Sequence, residues 1–208
     1  MFVVENLKKS YEGRTLFSEV FLKIAQGKKI AIIGRSGSGK TTLLNILGLL
    51  DTADAGTLTY KEILVNENCH QIRNQNIGFI FQFHYLNPEL TVLENLELPR
   101  LIQGNRLSKE EATLLLRKVD LEEKLYTTAK YLSGGEKQRI AFLRALVNNP
   151  EIILADEPTG QLDQAQAEEL MQAILDLPQA VVLVTHDKEF ASRMDERYEL
   201  INQQLVPW

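Results

Sequence analysis

The 208-residue chain has a single cysteine, Cys69, so no disulfide bond can form within it. We interpret this residue as an inert thiol in a reducing compartment. The sequence also lacks any apolar run near the ~18 residues that a membrane-spanning helix needs. Its first residues show no basic segment followed by an apolar core, so we expect no export signal. If the protein works at a membrane, these absences predict that it does so through partners.

An excess of basic residues is absent as well. The chain carries 23 Lys and Arg against 28 Asp and Glu, for a formal net charge of -5. Nucleic-acid-binding proteins concentrate Lys and Arg on one face, although a local patch is compatible with an acidic average. We therefore expect no nucleic-acid partner. The length and the 44% of hydrophobic residues suit one large domain, or one domain with a subdomain.

What the chain does contain is a glycine-rich loop, GRSGSGKTT, at residues 34–42. It fits the phosphate-binding pattern G-x-x-x-x-G-K-[ST], with an apolar strand pattern before it and a helix pattern after it. Glycines let backbone N–H groups face phosphate oxygens, and the helix start adds partial positive charge. Lys40 can reach the β- and γ-phosphates, and the Thr41 hydroxyl can hold Mg²⁺. The nucleotide-binding residues predicted in this loop are Gly34, Arg35, Ser36, Gly37, Ser38, Gly39, Lys40, Thr41 and Thr42.

Apolar strand patterns and helical patterns alternate along the chain, which predicts an α/β fold with a parallel sheet. Residues 2–28 and the tail are β-rich, and the tail predicts a terminal hairpin. The segment that leads up to residue 76 is polar and irregular. Residues 83–149 are helical in character, which predicts an inserted lobe; Ser108 opens one of its helices with a capping box. Buried strands are predicted at 30–33, 77–81, 152–155 and 180–185.

Polar residues follow three of these strands, where ligands bind in α/β sheets. Asp156 is placed to hold Mg²⁺ opposite the loop hydroxyl, and Glu157 to polarise the attacking water as a general base. Gln82 can contact Mg²⁺ or that water, and His186 can donate a hydrogen bond to the γ-phosphate. Taken alone, such a glutamine is usually a solvent-facing residue and such a histidine a packed one.

A second glycine-containing helix start, LSGGE, lies at residues 132–136. A capping box explains Ser133 and Glu136. It does not explain Gly134 and Gly135, because each glycine disfavours a helix by about 1 kcal/mol relative to alanine. Glycines at a helix start allow backbone N–H groups to approach an anion. The chain therefore binds two anions, or two copies share each nucleotide in a head-to-tail pair.

Two aromatic features leave alternatives open. Tyr11 follows a strand pattern and can stack on adenine, or it is a half-buried strand residue. The apolar stretch around Phe81, Phe83, Tyr85 and Leu86 is either exposed for a partner helix or packed between two lobes.

Taken together, these motifs resemble those of an ATP-binding cassette (ABC) ATPase along essentially the full chain. GRSGSGKT resembles the Walker A motif. IILADE resembles the Walker B motif followed by the catalytic glutamate, and LSGGEKQR resembles the signature motif. Gln82 is similar to the Q-loop residue, Asp163 to that of the D-loop, His186 to the switch histidine, and Tyr11 to the adenine-stacking aromatic. The resemblance implies a P-loop NTPase (RecA-like) core with an antiparallel β-subdomain, covering residues 1–82 and 150–208. It also implies an inserted helical subdomain at residues 83–149.

The resemblance further implies function. Its expected cofactors are ATP and Mg²⁺, the latter held by Thr41, Gln82 and Asp156. Its expected assembly is a homodimer in which Ser133, Gly134 and Gly135 of one copy close on ATP held by the other. FIFQFHYLNPELTVLENLELP and LADEPTGQLD are similar to ATPases of lipoprotein release, macrolide-type export and bacteriocin or peptide export. Such a subunit powers a separate permease and lies in the cytoplasm, peripheral on the inner face of the membrane. The alternatives are a soluble ABC ATPase acting on ribosomes or DNA, and a cassette that binds ATP without turnover.

Overall fold

The structure is a computed structural model that describes residues 1–65 and 69–208. The strands are β1 (Phe2–Tyr11), β2 (Arg14–Ile24), β3 (Lys29–Ile33), β4 (Ala55–Tyr60), β5 (Ile63–Leu64), β6 (Ile77–Ile80), β7 (Ile152–Asp156), β8 (Ala180–Val184), β9 (Glu196–Ile201) and β10 (Gln204–Pro207). The helices are α1 (Lys40–Leu47), α2 (His70–Asn76), α3 (Val92–Ile102), α4 (Lys109–Arg117), α5 (Gly134–Leu146), α6 (Gln164–Leu175) and α7 (Lys188–Ser192), with 3₁₀ turns at Glu122–Lys124 and Ala129–Tyr131.

Two sheets organise the described residues. The larger has the strand order β10–β9–β3–β8–β7–β6, and every pair from β9 to β6 is parallel. The smaller is antiparallel, in the order β2–β1–β4–β5. The predicted α/β fold with a parallel sheet is confirmed, as is the terminal hairpin formed by β9 and β10. Because β3, β6, β7 and β8 run the same way, the residues that follow them meet at one edge.

Strand β3 shows why the centre of the parallel sheet is mostly apolar. All five of its residues are buried, because layers of structure cover both faces of the sheet. Ile30 and Ile32 pack with α1 and the antiparallel sheet. Ala31 and Ile33 point to the opposite face and join a cluster that includes the helices between β6 and β7. The strand that leads into the phosphate loop is therefore held from both sides.

The predicted helical insert between β6 and β7 contains α3, α4 and α5. Helix α5 packs against α3 and against β6, so the insert and the sheet share one hydrophobic cluster. The capping boxes predicted at Ser108 and Ser133 are confirmed, and Thr91 forms a third. The insert is less helical than its sequence suggested, because residues 83–90 and the segment between α4 and α5 form loops and 3₁₀ turns. The subdomain limits at residues 83 and 149 stay a prediction.

The polar segment before β6 contains a helix that the sequence did not predict. Helix α2 covers His70–Asn76, while residues 66–68 lie outside the described part of the chain. The guanidinium of Arg73 donates a hydrogen bond to the carbonyl of Leu49, at 2.9 Å, and to His70 at 3.0 Å. The contact with Leu49 is tertiary, and it holds a short segment that has no apolar periodicity. Within residues 1–65 and 69–208, we find no helix with both the length and the apolar character needed to cross a bilayer.

Candidate nucleotide-binding site

A cleft of about 530 Å³ opens at the carboxyl edge of the parallel sheet. Its walls come from the loop between β3 and α1 and from the residues at the ends of β6, β7 and β8. The lining residues are Leu16, Ser36, Gly37, Gly39, Lys40, Thr41, Thr42, Gln82, Asp156, Glu157 and His186. With the exception of Leu16 on β2, each of them had been predicted from the sequence. The fold thus brings together residues from position 16 to position 186 of the chain.

The phosphate loop needs glycine where it turns into α1. Gly39 has φ of 104°, a left-handed conformation, and a Cβ atom there would lie 3.1 Å from Cδ1 of Phe17. Gly34 is equally confined, because its Cβ would lie 2.7 Å from the carbonyl oxygen of Leu200. Helix α1 begins at Lys40, so its first N–H groups, which lack intrahelical partners, belong to the cleft. This arrangement suits an anion.

Lys40 is nearly buried beneath the loop, with 8% of its surface exposed. Its ammonium donates hydrogen bonds to the carbonyl oxygens of Gly34 and Arg35, at 3.0 and 3.1 Å. Ser38 does not line the cleft, and its Oγ is buried without a hydrogen-bond partner among the described residues. Lys40 therefore shapes the loop and also places positive charge beside the cleft.

A hydroxyl and a carboxylate face each other across the cleft. The Thr41 hydroxyl donates to Oδ2 of Asp156 at 2.8 Å. Oδ1 of Asp156 is buried and has no hydrogen-bond partner among the described residues. Burial raises the pKa of Asp156, and the charge of Glu157 acts in the same direction. An orphaned carboxylate oxygen beside a hydroxyl is a donor set that fits Mg²⁺, a cation that prefers oxygen ligands.

An Asp156→Asn variant is expected to melt a few degrees higher than the wild type while losing about 10²-fold or more of its Mg²⁺-dependent hydrolysis. The amide removes a partly desolvated charge, which stabilises the fold, but it is a poorer ligand for a cation. Thermal melting in metal-free buffer and hydrolysis rates with Mg²⁺ measure the two effects. Asp176→Asn, at an exposed carboxylate outside the cleft, is the matched control. A lower melting temperature for Asp156→Asn would contradict the argument.

The next carboxylate, Glu157, is held by two neighbours. Its Oε2 lies 2.9 Å from Nδ1 of His186 and accepts a hydrogen bond from the Thr185 hydroxyl at 3.2 Å. The Glu157 side chain is 16% exposed and that of His186 is 77% exposed. Gln82 reaches the same cleft from the end of β6, and its amide nitrogen approaches Gly160. A fixed carboxylate next to an imidazole and an amide can orient and deprotonate a water molecule.

The LSGGE helix start does not line this cleft. Ser133 caps α5, and its hydroxyl accepts a hydrogen bond from the backbone N–H of Glu136 at 3.2 Å. Ser133 and Gly134 are exposed, and a Cβ atom on Gly134 would meet nothing within 4 Å. Asp163 is also outside the cleft, where it caps α6 through the N–H of Gln166. The structure therefore brings together one of the two predicted groups of nucleotide-binding residues.

Two side chains of α5 hold the loop that contains Gln82, and the sequence analysis singled out neither. Gln138 is 2% exposed, and its amide donates to the carbonyls of Phe81 and Pro158, at 3.1 and 3.0 Å. Arg144 donates to the carbonyls of His84 and Tyr85, at 2.8 and 2.7 Å. One glutamine thus links the backbone next to Gln82 with the backbone just beyond Glu157. Its position inside the LSGGEKQR run was the signal available in the sequence.

The aromatic residues singled out in the sequence differ in position and exposure. Tyr11 does not line the cleft, but its strand pairing places it near the cleft wall. Phe83 and Tyr85 are 56% and 64% exposed, whereas Leu86 is buried and Phe81 stacks on Phe79. The ends of this stretch therefore pack against the protein and its middle faces solvent, while contact with a partner helix stays a prediction.

A strand–loop–helix phosphate cradle with a hydroxyl and a carboxylate at its metal position defines a P-loop nucleoside triphosphatase. Residues 17–160 match the family model described as ABC transporter, and the chain belongs to that family. It is an ATP-binding and ATP-hydrolysing subunit of a transporter, and this favours the transport function over a soluble ABC ATPase acting on ribosomes or DNA.

Curated relatives match over nearly the whole chain. The lipoprotein-releasing system ATP-binding protein LolD of Legionella pneumophila is 45% identical, over 92% of this chain and 90% of that protein. LolD of Shewanella oneidensis is 42% identical, over 97% and 94%. A dimeric, post-hydrolysis structure of the ATP-binding cassette MJ0796, bound to ADP and Pi, is 37% identical with a TM-score of 0.88, over 99% of this chain and 96% of that one. A second dimeric structure of MJ0796, a bacterial ABC transporter cassette, is 39% identical with a TM-score of 0.87, over the same shares of the two chains.

Proposed function

We propose that two copies of this chain bind ATP and Mg²⁺ between them, head to tail, and that hydrolysis reopens the pair. The observation that carries the proposal is the position of Ser133 and Gly134. They form an exposed, capped helix start suited to an anion, yet they lie outside the cleft of their own chain. A two-fold pair would supply each cleft with this helix start from the other copy. The dimeric cassette structures to which the chain is similar support this arrangement.

Each site residue has a proposed role. Lys40 and the loop amides bind the phosphates, and Tyr11 stacks on the base. Thr41, Gln82 and Asp156 are the Mg²⁺ ligands. Ser133, Gly134 and Gly135 contact the nucleotide of the partner copy, and Asp163 communicates across the dimer interface.

The chemistry follows from two side chains. Glu157 accepts the proton of the attacking water, and its contacts with Thr185 and His186 fix the direction of the accepting oxygen. His186 then donates a hydrogen bond to the γ-phosphate, where negative charge develops. Thr41, Gln82 and Asp156 would hold Mg²⁺, which would neutralise negative charge on the phosphates.

ATP hydrolysis by the pair is proposed to drive a separate membrane permease. The proposed substrates of that permease are lipoproteins or related peptides or drugs. The name of the LolD relatives, which refers to lipoprotein release, supports this cargo class. The chain is then cytoplasmic and peripheral on the inner face of the membrane, held there by the permease. The partly exposed Phe83 and Tyr85, beside the Gln82 loop, offer an apolar contact for it.

Affinity purification of the tagged chain from detergent-solubilised membranes of its source cells tests this proposal. We expect a polytopic membrane protein to copurify in a fixed stoichiometry with two copies of the chain, and the complex to hydrolyse ATP. The same preparation made from the soluble fraction is the control. Recovery with ribosomes at high salt, or hydrolysis stimulated by added DNA, would contradict the transport function.

A further inference from the structure

Lys9, on β1, is a charged residue with 7% of its surface exposed, and no sequence motif called attention to it. Its ammonium lies 2.9 Å from Oδ1 of Asp51 and donates to the carbonyl of Thr52 at 2.6 Å. The same nitrogen lies 4.8 Å from the ring centroid of Tyr11. That distance is within the range of a cation–π contact, so three groups surround one nearly buried charge.

The Tyr11 ring is fixed at two places by this cluster. Its hydroxyl donates a hydrogen bond to Oδ2 of Asp51, and Lys9 covers one face of the ring. The hydrogen bond to Asp51 raises the pKa of Tyr11, so the phenol stays protonated and keeps its role as donor. The side chain nevertheless remains 48% exposed. A large part of the ring is thus open to a ligand although its orientation is set.

The hairpin that carries the ring borders the cleft. Tyr11 pairs with Arg14 at the end of the β1–β2 hairpin, and Lys9 pairs with Phe17. Phe17 is the residue that approaches Gly39 at the start of α1, and its neighbour Leu16 lines the cleft. The strand positions of Lys9 and Tyr11 therefore adjoin the wall of the cavity where the loop would place the phosphates.

We infer that Lys9 and Asp51 are positioning residues that hold the Tyr11 ring ready for the base of a bound nucleotide. The inference rests on the proposed contact between Tyr11 and adenine. A side chain that is immobilised before binding loses less conformational freedom when the ligand arrives, which increases affinity. The cation behind the ring and the base in front of it would share one aromatic surface.

The inference is tested by measuring the affinity for ATP and for a ligand that has phosphates but no base. Lys9→Met is expected to weaken ATP binding by about fivefold to tenfold, the size of the contacts it removes, as measured by calorimetry in the presence of Mg²⁺. The affinity for inorganic tripolyphosphate, which has no base, should stay as in the wild type. Lys8→Met, at the adjacent exposed lysine, is the matched control and should change neither value.

A double-mutant cycle with Tyr11→Leu makes the result specific. In that background Lys9→Met should cost no further ATP affinity, because there is no ring left to position. Asp51→Asn should show the same base-selective loss, and Lys9→Arg should restore most of the affinity, which guards against a folding defect in Lys9→Met. An equal loss for ATP and tripolyphosphate, or a full loss that persists without Tyr11, would overturn the inference. Wild-type ATP affinity in Tyr11→Leu would overturn the adenine contact itself, while retained hydrolysis would leave the ATPase function standing.

Discussion

A Glu157→Gln variant is expected to bind ATP as tightly as the wild type and to hydrolyse it about 10²- to 10⁴-fold more slowly, the usual contribution of a general base. Glutamine keeps the size of the side chain and can still contact the Thr185 hydroxyl. It cannot accept a proton from water at neutral pH. The loss should therefore fall on the turnover rate, with little change in the affinity for ATP measured by calorimetry.

The same variant should accumulate as an ATP-bound dimer, because in the proposed cycle hydrolysis reopens the pair that ATP closes. Sedimentation or light scattering with ATP and Mg²⁺ should show a stable dimer for Glu157→Gln and a transient one for the wild type. Glu123→Gln, at an exposed carboxylate of the helical insert, is the matched control and should leave turnover unchanged. An unaltered turnover rate in Glu157→Gln would contradict the assignment of Glu157 as the general base. A strictly monomeric ATP complex would contradict a site shared between two copies.

The residues that carry the chemistry were predictable because their signals are local. The loop at 34–42 is recognised by the spacing of its glycines and by the strand and helix patterns on either side of it. Asp156 and Glu157 come at the end of the run 152–155, His186 comes at the end of the run 180–185, and a parallel sheet brings such residues to one edge. The structure confirms that they line one cleft with Gln82 and the loop. The roles assigned to them stay predictions.

The contacts that orient these residues were not predictable, because they join positions far apart in the chain. Gln138 reaches a carbonyl 57 residues away, Arg144 one 60 residues away, and Lys9 a carboxylate 42 residues away. Backbone carbonyls are present at every residue, and a single aspartate such as Asp51 belongs to no motif with a fixed spacing, so the sequence does not indicate which of them will be contacted. Helix α2 was missed for the same reason, since tertiary contacts rather than apolar periodicity hold it.

Helix α5 connects the two halves of the proposed site. It begins at Gly134 and Gly135, and its next two turns hold the loop carbonyls at Phe81, His84 and Tyr85. Close packing also explains one of the two glycines, because a Cβ atom on Gly135 would lie 2.6 Å from Oε1 of Gln166. A partner copy that presses on the start of α5 would therefore act on the loop of Gln82 through a rigid helix. This gives a physical route by which dimer closure can adjust the proposed metal ligands.

Replacing Lys40 with alanine is expected to weaken ATP binding by about 10²-fold. Hydrogen bonds to a charged group contribute about 1.5–3 kcal/mol, and 1.4 kcal/mol is a factor of ten in affinity. The variant loses the positive charge beside the phosphates and also the two hydrogen bonds that hold the carbonyls of Gly34 and Arg35. Both losses weaken the binding of ATP itself, so the dissociation constant should rise independently of any change in the turnover rate.

Two further variants separate the role of the Lys40 ammonium from that of its apolar stem. Lys40→Met keeps the apolar stem and should lose nearly as much affinity as Lys40→Ala, because neither side chain supplies the ammonium. Lys28→Ala, at an exposed lysine in the turn before β3, should bind ATP like the wild type. Melting curves for each variant check that the fold survives. Wild-type affinity by calorimetry in Lys40→Ala would rule out the proposed role of the ammonium, and with it the charge complementarity on which phosphate binding in this cleft depends.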